Sequence, residues 1–157
     1  EKETRKVLKV HEDGKTWLHT GDVAAMDEDG FFYFKLRLKR MIKSSGMNVY
    51  PAQVEEVIYE HPKVAEACVI GVPDPDQVER VKAFVVLKKG FEPGPQMEAD
   101  IISFTRNRLI KWSCPRNVEF RETLPTTLVG KVAFKTLEDQ EIERLKKKGE
   151  YIGEPSS

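Results

Sequence analysis

Between Gly30 and Gln53 the chain carries no Asp or Glu, yet Lys35, Arg37, Lys39, Arg40 and Lys43 all fall inside that stretch. A cationic run that leads into Ser44-Ser45-Gly46 is suited to meeting an anion. Arginine offers a planar fork for phosphate, and lysine a movable point charge. The competing reading is a solvated edge strand guarded by lysines against aggregation, and the charge pattern alone favours it. Thr20-Gly21-Asp22 is a second candidate. A carboxylate after a glycine turn can accept two hydrogen bonds from a vicinal diol such as the ribose 2′,3′ pair. Taken alone, a turn aspartate bonding its own backbone is the favoured account. A third candidate is Leu124-Pro125-Thr126-Thr127-Leu128-Val129-Gly130-Lys131-Val132. It is not a Walker phosphate loop, because Pro125 and Val132 stand where that loop needs a glycine and a Ser or Thr. A lysine at a turn tip can still neutralise a phosphate. Those few residues alone favour a surface lysine ahead of the last helix.

Other chemistry is poorly provided for. His11, His19 and His61 show no ligand spacing, and neither Cys68 nor Cys114 lies in a C-x-x-C pair. Asp27-Glu28-Asp29-Gly30 is too short for an EF-hand loop. Cys68 lies in the apolar run Ala67-Cys68-Val69-Ile70 and reads as core, and Cys114 has no obvious activating base. Tyr50, Phe104 and Trp112 read as core and not as a stacking platform.

The 157 residues suggest one domain, or one domain with an attached piece. Twenty-six cations balance 26 acidic residues, so no net field draws in nucleic acid, which is not an expected partner. Apolar residues make up 39% and charged ones 33%, enough for a modest core under a wet surface. No apolar run approaches a membrane span. The opening Glu1-Lys2-Glu3-Thr4-Arg5 is not a secretory signal, and with no starting Met the chain reads as a fragment or a processed product. Two cysteines are too few for a disulfide framework and fit a reducing cytosol. The expected location is cytoplasmic, with peripheral membrane contact compatible with it.

The elements that must position these residues are mixed. Val7 to Val10 and Thr16 to His19 read as short strands, and Asp27 to Gly30 as a hairpin turn. Phe32, Phe34, Leu36 and Leu38 alternate with Tyr33, Lys35, Arg37 and Lys39 in one long strand, placing three cations on one face. Met41 to Lys43 and Asn48 to Tyr50 flank a hairpin tip at Ser44 to Met47. Pro51 opens a helix that runs to His61, where Pro62 stops it. Val64 to Val72, Val81 to Leu87 and Asn117 to Arg121 read as strands, with a polar loop at Pro73 to Asp76 and another at Gly90 to Pro95. Gln96 to Trp112 and Phe134 to Lys148 read as helices. Residues 153–157 read as a loose tail. The fold class is α+β.

Taken together, these pieces resemble the C-terminal part of an adenylate-forming enzyme, the superfamily of acyl-CoA synthetases, luciferases and adenylation domains. His19-Thr20-Gly21-Asp22-Val23 with Asp27 to Phe31 resembles the family's T-G-D stretch. Arg37-Leu38-Lys39 with Met41 to Pro51 resembles its hinge and glycine hairpin, and Leu124 to Val132 its C-terminal lysine loop. Gly71-Val72-Pro73-Asp74 and Lys82 to Leu87 also fit, so that the match covers roughly residues 7 to 147. The flavour nearest to Trp17 to Asp22 and Thr127 to Lys131 is a long-chain fatty acid–CoA ligase.

The resemblance implies two half-reactions: carboxylate attack on the α-phosphate of ATP, then displacement of AMP by the CoA thiol. It implies that Asp22 holds the ribose hydroxyls, that Arg37 contacts ribose or phosphate, and that Lys43 and Asn48 touch phosphate or the acyl group. Lys131 would bridge the substrate carboxylate and the α-phosphate as the catalytic residue. Lys39 would be the hinge, and Gly46 would line the tunnel for CoA. ATP and CoA are the implied cofactors; Mg2+ is expected for the full enzyme, with no ligand for it identified in this stretch. The implied organisation is a stub of the N-terminal adenylating domain at 1–36, a hinge at 37–40, a C-terminal lid at 41–152 and a flexible tail at 153–157. The lid is expected to hold a three-stranded sheet flanked by helices, plus a β-hairpin.

The family usually has Asp where Leu36 stands, Asp or Glu where Arg40 stands, and a basic cluster where Ala133-Phe134-Lys135-Thr136 follows the lysine. The family's phosphate loop, adenine pocket and acyl tunnel belong to the large preceding domain, so the expected partners are that domain and a fatty acid or other carboxylic acid. The chain alone is expected to be close to inactive. Rival readings are the lid of an aryl- or amino-acid-activating enzyme, a non-catalytic module binding an anionic partner such as RNA, and an interaction or dimerisation domain.

Overall fold

The computed structural model describes residues 2–151 and 153. The chain divides into two compact units, Glu1–Lys39 and Arg40–Ser157. Residue 152 and residues 154–157, which include most of the expected tail, lie outside the described residues.

The first unit starts with helix α1 (Lys2–Val7), which takes Val7 from the expected strand Val7 to Val10; no element was expected over the residues before Val7. Strands β1 (Leu8–Val10) and β2 (Thr16–Leu18) form one antiparallel ribbon, and β3 (Asp22–Met26) and β4 (Phe32–Arg37) a second. The turn between β3 and β4 is held by Asp27. Its carboxylate accepts from the Asp29 and Phe31 N–H groups at 3.1 and 2.9 Å and from the Tyr33 hydroxyl at 2.7 Å. No described residue of this unit is buried, and Phe32 and Phe34 are 75% and 61% exposed. Two-stranded ribbons without a core are marginal by themselves.

The expected unbroken alternation from Phe32 to Lys39 is corrected here. The register shifts between Val23 and Ala24, which leaves Lys35 as an extra residue opposite them. The strand then stops at Arg37. The Leu38 N–H donates to the Gly21 carbonyl at 2.9 Å, one residue before β3 begins, and Leu38–Arg40 winds into a 3-10 turn. Lys39 is thus on a turn and not on a strand face with Arg37.

The second unit is a sheet covered on both faces. Its strands are β5 (Ile42–Ser44), β6 (Met47–Val49), β7 (Val64–Asp74), β8 (Val78–Leu87) and β9 (Asn117–Phe120), in the order β6-β5-β8-β7 with β9 parallel to β8. The three expected strands are β7, β8 and β9; the hairpin β5–β6 joins them through the single pair Ser44 and Val78. Alternate residues of β7 and β8 enter two cores. Ala67, Val69, Val81, Ala83 and Val85 pack with α2 (Pro51–Tyr59) and α3 (Pro95–Arg106). Cys68, Ile70, Val72 and Phe84 pack with α4 (Phe134–Lys148). A strand buried on both faces reads as a near-continuous apolar run, as Ala67 to Val72 and Ala83 to Leu87 do.

Proline at the first turn opens α2 and α3, and α2 ends at Tyr59, two residues short of the expected stop. The expected helix 96–112 ends at Arg106. Ile110 is extended and only a 3-10 turn, Lys111–Ser113, follows, since Pro115 keeps Cys114 out of the helical region. In α4, Leu137, Glu141 and Leu145 are buried at four-residue spacing. Lys146, Lys147 and Lys148 sit in its last turn, where cations favour the dipole, and Gly149 caps it at φ 71°.

Candidate functional site

In the first unit the structure brings two of the candidates together. Asp22 and Arg37 face each other in the β3–β4 ladder. Arg37 donates from Nε to Asp22 Oδ1 at 2.6 Å and from Nη2 to Oδ2 at 3.1 Å. The turn before Asp22 needs Gly21 at φ 78°, and the Thr20 hydroxyl accepts from the Asp22 N–H at 3.2 Å. The Arg37 hydrogen bond holds the Asp22 carboxyl below its ordinary range. The result is a fixed carboxylate beside a fixed guanidinium, half exposed and able to meet a hydroxyl and an anion together. Lys39 is exposed on the 3-10 turn.

In the second unit, Lys43 and Asn48 are paired across β5 and β6 and both are exposed. Between them Ser45 and Gly46 both take positive φ, 53° and 78°, as a tight two-residue hairpin requires. Ser45 tolerates this because its N–H donates to the Gln77 carbonyl at 2.9 Å and its hydroxyl to Gln77 Oε1 at 3.3 Å. Val78, next along, holds φ 69°, an outlier for a β-branched residue. Backbone strain therefore concentrates where the hairpin meets the sheet. Glu79 braces the same junction by accepting from the Lys43 N–H at 2.7 Å. A cavity of about 280 Å3 lies beside the hairpin, lined by Ser44, Ser45, Gln77, Lys111, Trp112, Cys114 and Arg116.

Lys131 lies on a separate loop that ends at α4. The loop closes on itself: Thr126 bridges Val132, the Thr127 N–H donates to the Lys131 carbonyl at 2.7 Å, and the Ala133 N–H to the Pro125 carbonyl at 2.7 Å. Gly130 makes the tip at φ 77°. Leu128 and Val129 project from it almost fully exposed. Lys131 is exposed, and its ammonium group has no partner among the described residues. A cation held on a rigid turn with no internal partner is free to meet an external one.

Sequence reasoning missed two clusters. Arg40 reaches Glu55 and Val69 and stacks on Phe134. Lys82 is 3% exposed and donates to both Glu119 and Glu141 at 2.7 Å. The second was visible in principle: a lysine inside Val81-Lys82-Ala83-Phe84, and a glutamate in step with Leu137 and Leu145, both mark buried charges. Neither thiol is poised for chemistry. Burial, helped by Glu55, pushes Cys68 up to about 12, and burial raises Cys114. Burial, against Phe104, lowers the pKa of His61. Among the described residues no three His, Cys, Asp or Glu side chains form a metal cluster.

The family model for the AMP-binding enzyme C-terminal domain matches residues 53–131. The chain belongs to this family. Among relatives of this C-terminal domain, a long-chain-fatty-acid–CoA ligase of Bacillus subtilis is 46% identical over 127 residues, 81% of this chain and 22% of that protein. An acetyl-coenzyme A synthetase of the same organism is 42% identical over 126 residues, 80% of this chain and 22% of its own. The ATP-bound structure of MatB from Rhodopseudomonas palustris superposes with a TM-score of 0.75 at 33% identity, over 88% of this chain and 26% of that one. The C-terminal domain chain therefore spans about a fifth of the length of these curated relatives.

Proposed function

We propose that this chain is the C-terminal part of an AMP-forming acid–thiol ligase, with fatty acid as the substrate class. The observation that carries the reading is Lys131: an exposed ammonium with no partner among the described residues, on a glycine-tipped loop, at the end of the matched family segment. The likeness to the fatty acid–CoA ligase of Bacillus subtilis supports the substrate class. The uncovered apolar ribbon of the first unit supports a larger preceding domain as its partner. The division after Lys39 supports a stub at 1–36, a hinge at 37–40 turning on Lys39, and a lid from 41.

In this reading a carboxylate oxygen of the acid attacks the α-phosphorus of ATP, and the bond to pyrophosphate breaks. Lys131 offsets the charge that gathers between the two anions. At ~4 Å and an effective dielectric near 20, such a contact is worth roughly 4 kcal/mol before desolvation. Asp22 and Arg37 hold the ribose and its neighbouring phosphate, with Lys43 and Asn48 adding phosphate or acyl contacts. The CoA thiol then attacks the acyl carbonyl, loses its proton to solvent, and AMP leaves. Gly46 lets the hairpin backbone approach the pantetheine arm. This chain alone lacks the surface that would hold both substrates in attack geometry, so it is close to inactive. In this reading the setting is cytoplasmic, with peripheral contact at a membrane surface compatible with it. Separately, no described helix is long and apolar enough to cross a membrane.

The test uses the full-length ligase. Lys131→Ala should lower fatty-acid-dependent ATP–pyrophosphate exchange by about a hundredfold or more and spare CoA attack on preformed acyl-adenylate. Equal loss in both steps rejects the role given to Lys131.

A further inference from the structure

Arg40 is the first residue of the second unit, directly after Lys39. Its side chain is 22% exposed and turned into that unit. Nη1 donates to Glu55 Oε2 at 3.3 Å, and Nη2 to Glu55 Oε1 at 2.5 Å and to the Val69 carbonyl at 3.2 Å. Glu55 Oε1 also accepts from the Val69 N–H at 2.9 Å, so the carboxylate is fixed from two sides. The guanidinium lies over the Phe134 ring, 4.8 Å from its centroid. Phe134 is half-buried, opens α4 and follows Lys131 by three residues. Between them the lysine loop is pinned by the Thr126–Val132 bridge and the Ala133–Pro125 hydrogen bond. One side chain thus joins α2, β7 and the root of the lysine loop to the residue that follows Lys39.

We propose that Arg40 is a positioning residue for Lys131: its fork on Glu55 and its stack on Phe134 fix the root of the lysine loop to the last residue of the hinge. The inference rests on the adenylation role given to Lys131 above. It makes the lysine loop and the near edge of the hinge one rigid piece, so any turn about Lys39 is delivered to the Lys131 ammonium without slack. Arginine is needed for both halves of the contact, because lysine has neither the planar fork nor the flat face that stacks on a ring.

Two measurements test it. In the full-length ligase, Arg40→Met should lower kcat for adenylation by about tenfold, with KM for ATP within about twofold and thioester formation from preformed acyl-adenylate unchanged. In a Lys131→Ala background the same change should cause no further loss, because Arg40 acts only through that lysine. Phe134→Leu, which removes the stack and keeps the charges, should show the same dependence on Lys131. Losses that multiply in the Lys131→Ala background, or full rescue by Arg40→Lys, overturn the proposal. In the 157-residue chain, Arg40→Met should speed amide exchange at Thr127, Gly130 and Ala133 by about fivefold while Val81, Ala83 and Val85 stay protected. Unchanged loop exchange, with adenylation still lost in Lys131→Ala, overturns the role of Arg40 alone. Adenylation that survives Lys131→Ala overturns the reading of Lys131 itself, and the positioning role of Arg40 with it.

Discussion

Asp22 and Arg37 are opposite one another in the β3–β4 ladder, and the guanidinium grips both carboxylate oxygens, at 2.6 and 3.1 Å. The pair fixes the orientation of two groups proposed to meet ATP, so neither can be altered alone without freeing the other. Arg37 also sets the charge of Asp22, whose pKa its hydrogen bond lowers.

In the full-length ligase, Asp22→Ala should raise KM for ATP by about tenfold with a smaller change in kcat. Because the Asp22 carboxyl titrates below its ordinary value, its anionic form persists as pH falls into the usual carboxylate range. KM for ATP in the wild type should therefore stay flat there. In Arg37→Met, where the lowering hydrogen bond is gone, KM should begin to rise at higher pH than in the wild type. Steady-state kinetics against pH would reject the assignment if the two profiles coincided.

The buried pair of Lys82 and Glu141 predicts a stability effect. Burial raises the Glu141 carboxyl, but hydrogen bonds from Arg144 and Lys82 outweigh it, and its pKa lies below the ordinary value. A carboxyl lowered in the fold contributes stability that is present above its unfolded pKa and is lost as pH falls through the folded one. Urea midpoints should therefore drop on acidification below the ordinary Glu range, and less steeply in Glu141→Gln. Lys82→Met leaves Glu141 buried with only Arg144, and should cost roughly 3–5 kcal/mol. Lys82→Met with Glu141→Leu should recover most of that loss. A Lys82→Met midpoint equal to wild type would remove the pair from the list of structural anchors.

Much of this was legible from residue pattern. Phe134 to Lys148 carried its own period and its glycine stop, and the helix occupies those residues. The hairpin around Gly46 was legible because Ser-Gly between two apolar pairs leaves few alternatives. The end of β4 was not legible, because local alternation continues through Lys39 and only the place where β3 begins decides where the ladder stops. The partners of Arg40 lie 15, 29 and 94 positions along the chain, at Glu55, Val69 and Phe134, and nothing local marks them. The Asp22–Arg37 pairing was also out of reach, since the two were singled out for different reasons and only the ladder register joins them.

The thiols give a cheap check on the packing. Burial and Glu55 push Cys68 up to about 12, and Cys114 is raised by burial beneath the Leu109 and Ile110 carbonyls. A thiol so shifted has almost no thiolate near neutral pH. Neither cysteine should react with a disulfide reagent at pH 8 until denaturant is added, when two equivalents should appear together. A fast native equivalent would mean that the sheet or the turn before Pro115 opens readily.

Gly71 predicts a way to loosen the hairpin by a substitution outside it. It sits in β7 with no side chain, and a Cβ there would lie 2.6 Å from Glu79 Oε1 and 3.1 Å from Ile42 Cγ2. Glu79 would have to swing away, and its hydrogen bond to the Lys43 N–H would be lost. The hairpin is otherwise joined to β8 by the Ser44–Val78 pair and by Ser45 on Gln77, both at strained backbone. Gly71→Ala should cost roughly 1–3 kcal/mol, since the overpacked neighbours include a buried isoleucine. The functional consequence should be selective. With Gly46 proposed to meet the CoA arm and Lys131 on a separate loop, thioester formation should slow by about tenfold while ATP–pyrophosphate exchange stays near wild type. Single-turnover measurement of each half-reaction separates the two. An equal slowing of both would mean that the hairpin and the lysine loop are not independent, and that Gly71 governs the whole second unit.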